Sequence, residues 1–416
     1  MTTLLCEEPR RTGFAVPALA LAALALRRRA ASMPRFARWL SKLVLACAGS
    51  LGLARFLWML LRFPSGALRR TGPVPGRLVR LSTGLTHYRL RGPAQAPLVV
   101  LVHGFCGSSS DLEPVARTLL ACRGPDGEAC LRTLQYDNVG RGYSECTGQR
   151  PHDAGLFVQQ LHELLLAIEQ GTSIEEEEEQ RDGTRCCGGG DGDGDGDDDV
   201  DGDGACGADT LGALATALTP VHLVGFSMGG AIVSCYAARY PESVRSLTLL
   251  NPAGTCETRP PPSIRWPWVS EPFWLLRGGG VLLGEEEEGP GTWRSPAGAA
   301  CRAWRAAFRH RLAVEPALLR STLSTMQHFP FGDMRCATDF HRAGQQLHRM
   351  RRPVLLCWAT EDSTCPFHAA ETLVELMPGA KLVPLEGAGH MAPAEAEPTL
   401  LASVATFVLD ADAAHT

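Results

Sequence analysis

The chain has 416 residues, 45% of them apolar and 20% charged, with a formal net charge of -5 at pH 7. That length and apolar share suit a globular protein with a buried core, as one large domain with additions or as two domains. Arginine replaces lysine almost throughout and no basic stretch is interleaved with aromatic residues, so a nucleic-acid partner is not expected. The 15 cysteines include no Cys-x-x-Cys spacing, which leaves no zinc pattern or disulfide framework and points to reduced thiols in an intracellular compartment.

Residues 1–75 read as an extension. No Asp or Glu occurs between Pro9 and Ser110, while Arg recurs. The apolar run Phe14–Leu26 is too short to span a bilayer and is followed by Arg27-Arg28-Arg29. Trp39–Phe63 is longer, but Lys42 and Arg55 interrupt it, which leaves Leu43–Leu61 as a candidate span with one costly arginine. A membrane anchor, spanning or lying in the interface, is the preferred reading. A cleaved presequence for the mitochondrion or another organelle is the alternative. A secretory signal is disfavoured, because no small-residue cleavage site follows the first run.

Leu78–Arg91 predicts an antiparallel strand pair. Pro97–Val102 is a continuous apolar run ending in His103-Gly104-Phe105. A helix over Asp111–Leu120 and a strand over Leu131–Asp137 follow. The next motif is Tyr136-Asp137-Asn138-Val139-Gly140-Arg141-Gly142-Tyr143-Ser144. His152–Glu169 has helical periodicity, with Leu156, Val158, Leu161, Leu164, Leu165 and Ile168 apolar. An acidic insertion then covers 171–208. Glu175–Glu179 and the Asp/Gly run Gly188–Gly204 cannot bury a core and predict a disordered surface loop. Asp191–Gly196 resembles the start of a calcium loop, but Gly202 stands where the closing glutamate belongs, and specific calcium binding is not expected.

The apolar run Val221–Val224 leads into Gly225-Phe226-Ser227-Met228-Gly229-Gly230, the pattern of a strand, a sharp turn with serine at its tip and a helix over Met228–Tyr240. Ser246–Asn251 reads as a strand. From Cys256 to Met350 the pattern is helical and irregular, with Glu285–Glu288 a solvated run. Pro353–Trp358 is apolar and precedes Asp362. Ala380–Leu385 leads to Gly387-Ala388-Gly389-His390. Ala369–Leu376 and Pro398–Leu409 predict flanking helices. Continuous apolar runs of this kind are strands of a parallel sheet buried on both faces, and ligands bind beyond the carboxyl ends of such strands. Ser227, Asp362 and His390 all fall there. A serine hydroxyl becomes a useful nucleophile only when a base takes its proton.

On these motifs and their order, the chain resembles the α/β-hydrolase superfamily, of the lipase, esterase and aminopeptidase kind, over roughly residues 78–408. The resemblance implies an α/β fold: a doubly wound, mostly parallel sheet with a helical cap. Its core would span 76–255 and 351–416, with the cap at 256–350. It implies Ser227 as nucleophile, His390 as general base and Asp362 as the acid that orients it, with the backbone N–H groups of Phe105 and Met228 forming an oxyanion hole. Glu361 competes for the acid and His103 for the base; Asp362 and His390 are preferred, with His103 shaping its loop. His222 reads as a core histidine, Asp137 and Arg141 as braces near the site and Cys106 as a bystander thiol. Trp266, Trp268, Phe273, Trp274, Phe329 and Phe331 either roof the site or, as preferred for most, pack the cap.

A serine at position 227 argues against epoxide hydrolases and dehalogenases, which carry aspartate there. His103-Gly104-Phe105-Cys106-Gly107 departs from the His-Gly-Gly-Pro-Gly of proline-releasing aminopeptidases, as does Met228 where they tend to have tryptophan. The expected activity is hydrolysis of a carboxylic ester of an apolar or lipid acyl group. The substrate would be a small molecule or lipid, and the N-terminal segment would hold the protein at a membrane. An aminopeptidase or amidase, and a catalytically idle scaffold binding lipid or protein, are the alternatives. No metal or organic cofactor is implied.

Overall fold

A computed structural model of the chain describes residues 74–146, 150–171, 218–255, 316–331 and 334–414. The N-terminal extension up to residue 73, the acidic insertion with its Asp191–Gly196 motif, Glu285–Glu288, Trp266, Trp268, Phe273 and Trp274 lie outside the described residues.

Eight strands form one sheet: β1 (Arg77–Leu81), β2 (Gly84–Arg91), β3 (Leu98–Val102), β4 (Arg132–Tyr136), β5 (Val221–Phe226), β6 (Val244–Leu250), β7 (Val354–Ala359) and β8 (Lys381–Leu385). Their order is β1-β2-β4-β3-β5-β6-β7-β8. β1 pairs antiparallel with β2, and β2 with β4; every later pair is parallel. The β1–β2 hairpin turns tightly at Ser82-Thr83, with Gly84 at φ 111 supplying a backbone conformation that a side chain would strain. β5 and β7 are buried at every position, which is why they read as unbroken apolar runs and not as alternating ones.

Helices cover both faces. α1 (Glu113–Ala121) and α7 (Pro398–Ala413) lie on one side, where Leu112, Val115, Leu119, Leu400, Val404 and Val408 close over the sheet. On the other side lie α2 (Ala154–Glu169), α3 (Met228–Arg239), α5 (Met334–Arg349) and α6 (Ala369–Leu376). α5 packs on α3 and α6 and buries Phe340, Ala343 and Leu347 in that layer. α4 (Pro316–His328) stands near the loop after β4. This is the doubly wound, mostly parallel architecture expected.

Val102 of β3 lies beside both Tyr136 of β4 and Gly225 of β5. The carboxyl ends of the parallel strands therefore open on one edge, and residues 103–107, 137–144, 227, 251, 360–362 and 386–390 follow directly from it.

Candidate active site

Ser227 occupies the turn between β5 and α3 at φ 54 and ψ -120, a strained conformation for a residue with a side chain. Three backbone hydrogen bonds hold it there. Its N–H donates to Leu250 O at 2.9 Å, and its carbonyl accepts from Gly230 N–H at 2.9 Å and Ala253 N–H at 3.0 Å. The glycines answer to close approach: a Cβ on Gly229 would sit 2.1 Å from the Val102 carbonyl oxygen, and one on Gly225 would sit 2.5 Å from Gly229 O. The first turn of α3 can thus press against β3, so that the serine leaves the sheet edge at a fixed height.

His390 follows β8. Its Nε2 lies 3.1 Å from Ser227 Oγ and its Nδ1 lies 2.7 Å from Asp362 Oδ2. A carboxylate can only accept, so Nδ1 carries the proton and Nε2 faces the hydroxyl with a lone pair. The Phe226 ring lies 5.1 Å from the imidazole, centroid to centroid. Asp362 is buried, and its other oxygen accepts from the N–H groups of Thr364 and Cys365, each at 2.7 Å. Glu361 is exposed and takes no place opposite the imidazole.

His103 is fully buried. Its Nε2 accepts from Asn138 N–H at 3.0 Å and its Nδ1 donates to Gly104 O at 2.8 Å, which occupies both nitrogens in shaping the loop. Gly104 runs against the serine: a Cβ there would lie 3.1 Å from Ser227 Cβ. Phe105, the next residue, is thereby set beside Ser227. Met228 is the first residue of α3, where backbone N–H groups have no helical carbonyl to serve. Burial pushes the Cys106 thiol up to about 12, against a lowering by Arg141, so it stays protonated at neutral pH.

Asp137 and Arg141 are both buried. Asp137 accepts from Ser109 N–H at 2.7 Å and Tyr143 N–H at 2.8 Å, and faces His87 Nδ1 at 2.8 Å. Arg141 donates from Nε to the Phe105 carbonyl at 2.7 Å and from its terminal nitrogens to Ser321 Oγ and Thr325 Oγ1 on α4. The loop beside Ser227 is thus tied to α4. Phe331 packs edge-on against Phe105 with centroids 5.1 Å apart, and Phe329 joins Phe331 to Phe157 of α2. Of these two aromatics, Phe329 is buried packing and Phe331 lies partly open beside Phe105. His222 is a core histidine, bonded through Nδ1 to Ser246 Oγ at 2.8 Å.

The reading of the sequence gave Asn251 no role beyond ending a strand. It sits at φ 43 after β6, donates from Nδ2 to the His390 carbonyl at 2.9 Å and accepts at Oδ1 from Ala359 N–H at 2.8 Å. It fixes the histidine loop to the strand that precedes Asp362. A positive φ outside glycine favours Asn, which is the one signal that could have drawn attention to it.

The sheet and the strand–serine–helix turn at its edge define the α/β-hydrolase class of protein. The chain belongs to the alpha/beta hydrolase family, whose profile matches residues 99–404. Solved structures of similar fold include an esterase from Exiguobacterium antarcticum (18% identity, TM-score 0.51, covering 80% of this chain and 99% of that one). A bromoperoxidase from Bacillus anthracis (19%, 0.53, 78% and 95%) and a membrane phospholipase A described as a bacterial virulence factor (18%, 0.51, 91% and 99%) are also similar. At these identities the likeness is one of fold. Short matches link the chain to monoacylglycerol lipase ABHD6 of Bos taurus and of Homo sapiens, each 60% identical over 35 residues, or 8% of this chain. The match spans about a tenth of those relatives' length.

Proposed function

We propose that the protein is a serine hydrolase that cleaves a carboxylic ester of an apolar or lipid acyl group through an acyl-enzyme on Ser227. The observation that carries this reading is the hydrogen-bonded line from Asp362 Oδ2 through the His390 ring to Ser227 Oγ. In this scheme Oγ attacks the ester carbonyl carbon while Nε2 takes its proton. The tetrahedral oxyanion is received by the N–H groups of Met228 and Phe105, each lowering the barrier by about 3 kcal/mol. The C–O bond breaks, Nε2 returns the proton to the leaving alcohol, and water repeats the sequence to release the acid.

The lipid acyl preference is supported by Phe105 and Phe331, which offer an apolar wall beside the nucleophile, and by the short matches to a monoacylglycerol lipase. In this reading the part of 256–350 that precedes α5 supplies the cover, since α5 itself packs in the core layer, and residues 1–75 hold the protein at a membrane. Among the described residues no helix is long and apolar enough to cross one, so the second proposal rests on sequence alone. Aminoacyl amides remain the runner-up substrates, because the same constellation acylates on either bond.

A fluorophosphonate probe tests the reading: the native chain should be labelled and Ser227→Ala should not. Absence of labelling in well-folded native protein would favour an idle scaffold. Side-by-side turnover of acyl-chain esters and aminoacyl amides separates esterase from peptidase.

A further inference from the structure

Cys365 follows Asp362 by three positions, is buried and forms no disulfide. Its own N–H and that of Thr364 both bond to Asp362 Oδ1, so the loop curls about the carboxylate and carries the thiol back toward it. One carboxylate oxygen of Asp362, one ring nitrogen of His390 and Sγ of Cys365 all lie within 4.8 Å of one another. The hydrolytic scheme makes no use of the sulfur.

We propose that Asp362, Cys365 and His390 form an inhibitory binding site for a thiophilic divalent cation of the zinc class. The inhibition rests on the reading of His390 as the base for Ser227; the binding does not. One oxygen, one nitrogen and one sulfur donor suit zinc, whereas magnesium and calcium want several oxygens. With zinc–nitrogen and zinc–oxygen bonds of about 2.0–2.2 Å and zinc–sulfur of about 2.3 Å, tetrahedral ligand atoms stand roughly 3.3–3.8 Å apart. The trio, within 4.8 Å, must therefore draw in by up to about an ångström to reach that spacing. His390 Nδ1 and Asp362 Oδ2, at 2.7 Å, must give up their hydrogen bond and part by about 0.6–1.1 Å. The two backbone N–H donors on Oδ1 pre-orient the carboxylate, as outer partners do in metal sites. The partly exposed His390 side chain, 16% accessible, gives the ion a way in, and water completes the fourth position.

The inhibition follows from proton accounting. The metal takes the Nδ1 lone pair and the thiolate, the thiol proton leaves to solvent, and the imidazole proton moves from Nδ1 to Nε2. An Nε2 that carries a proton cannot accept one from Ser227. Holding a triad histidine in the wrong tautomer costs on the order of 10⁴-fold in turnover.

The test uses the full chain, zinc chloride in a non-chelating buffer, and two readouts. The first is fluorophosphonate labelling of Ser227, expressed against each variant's own metal-free rate. The second is cobalt(II) binding followed by its thiolate charge-transfer absorption, which needs no activity. Zinc should suppress labelling of the native chain and of Cys106→Ala by at least about a hundredfold, reversibly with EDTA. Cys365→Ala and Cys365→Ser, checked for folding by melting, should be at least about tenfold less sensitive and should lose one equivalent of the cobalt band. Undiminished zinc sensitivity or an unchanged cobalt band in both Cys365 variants would overturn the site. Failure of the metal-free native chain to label would instead overturn the hydrolase reading and the inhibition with it, while the cobalt titration still decides whether the trio binds metal.

Discussion

Replacing Asp137 by Asn keeps the shape of a buried side chain and changes its hydrogen-bonding character. The carboxylate is 1% exposed and accepts from Ser109 N–H on Oδ1 and from Tyr143 N–H on Oδ2, which also faces His87. An amide has one oxygen to offer in place of two. Whichever way it turns, its NH₂ meets a backbone N–H that then loses its acceptor, at about 1–3 kcal/mol, and a charge-assisted bond worth about 1.5–3 kcal/mol is lost with it. The expected destabilisation is about 3–5 kcal/mol.

Acid titration gives an independent measure. Burial pushes the Asp137 carboxyl up, but the His87 hydrogen bond and charge, His103 and the Ser109 N–H together hold it down at about 2, below its ordinary 3.8. The native value lies below the unfolded one, so this stability is present above pH 3.8 and is lost as the pH falls through about 2. The difference corresponds to about 2–3 kcal/mol. Urea denaturation followed by tryptophan fluorescence should show the native chain well ahead of Asp137→Asn at neutral pH, with the gap narrowing as the pH drops below 3.8. A variant within about 1 kcal/mol of the native chain at neutral pH would refute the reasoning.

Three further substitutions probe the site from different sides. Gly229→Ala drives a Cβ to 2.1 Å from the Val102 carbonyl; the backbone must move, and thermal melting should show a loss of at least about 3 kcal/mol. Gly104→Ala meets Ser227 Cβ at 3.1 Å, a clash relieved by a shift of a few tenths of an ångström; melting should barely change while fluorophosphonate labelling slows about tenfold. Asn251→Ala removes the bonds to the His390 carbonyl and Ala359 N–H and leaves alanine at φ 43; about 2–3 kcal/mol of stability should go, with kcat falling and KM held.

Most of the sheet was legible because its central parallel strands, such as β5 and β7, are buried on both faces and so carry no alternation to misread. Where boundaries moved, local chemistry explains it. The helix expected from Asp111 begins with a tight turn over Ser109–Leu112, capped reciprocally by Ser108 and Asp111, and becomes α-helical at Glu113 with Pro114 in its first turn. The last helix runs past Leu409 to Ala413 because neither Gly nor Pro interrupts Asp410-Ala411-Asp412-Ala413, and Asp412 is anchored to Arg245 of β6. Arg141 read as a brace, and it is one. Its partners on α4 could not be named, since Ser321 and Thr325 stand far along the chain in a segment without a motif. Cys365 was invisible as a neighbour of Asp362 and His390 because its loop closes through backbone N–H bonds that no side-chain spacing encodes.

Asn251 shows why a site of this kind has parts that no motif announces. Ser227 follows β5 and Asp362 follows β7, and the sheet order puts β6 between them. β6 is therefore the strand whose end can touch both. Leu250 O takes the Ser227 N–H on one side; Asn251 N–H donates to Cys357 O on the other, while its side chain reaches Ala359 N–H and the His390 carbonyl. Four hydrogen bonds from two consecutive residues thus set the spacing between Ser227, Asp362 and His390. A separation of 3.1 Å between Nε2 and Oγ is kept by backbone and Asn251 side-chain bonds at the end of a strand whose own sequence, Val244–Leu250, looks like any other core strand. The demand for Asn arises only once three strands lie side by side.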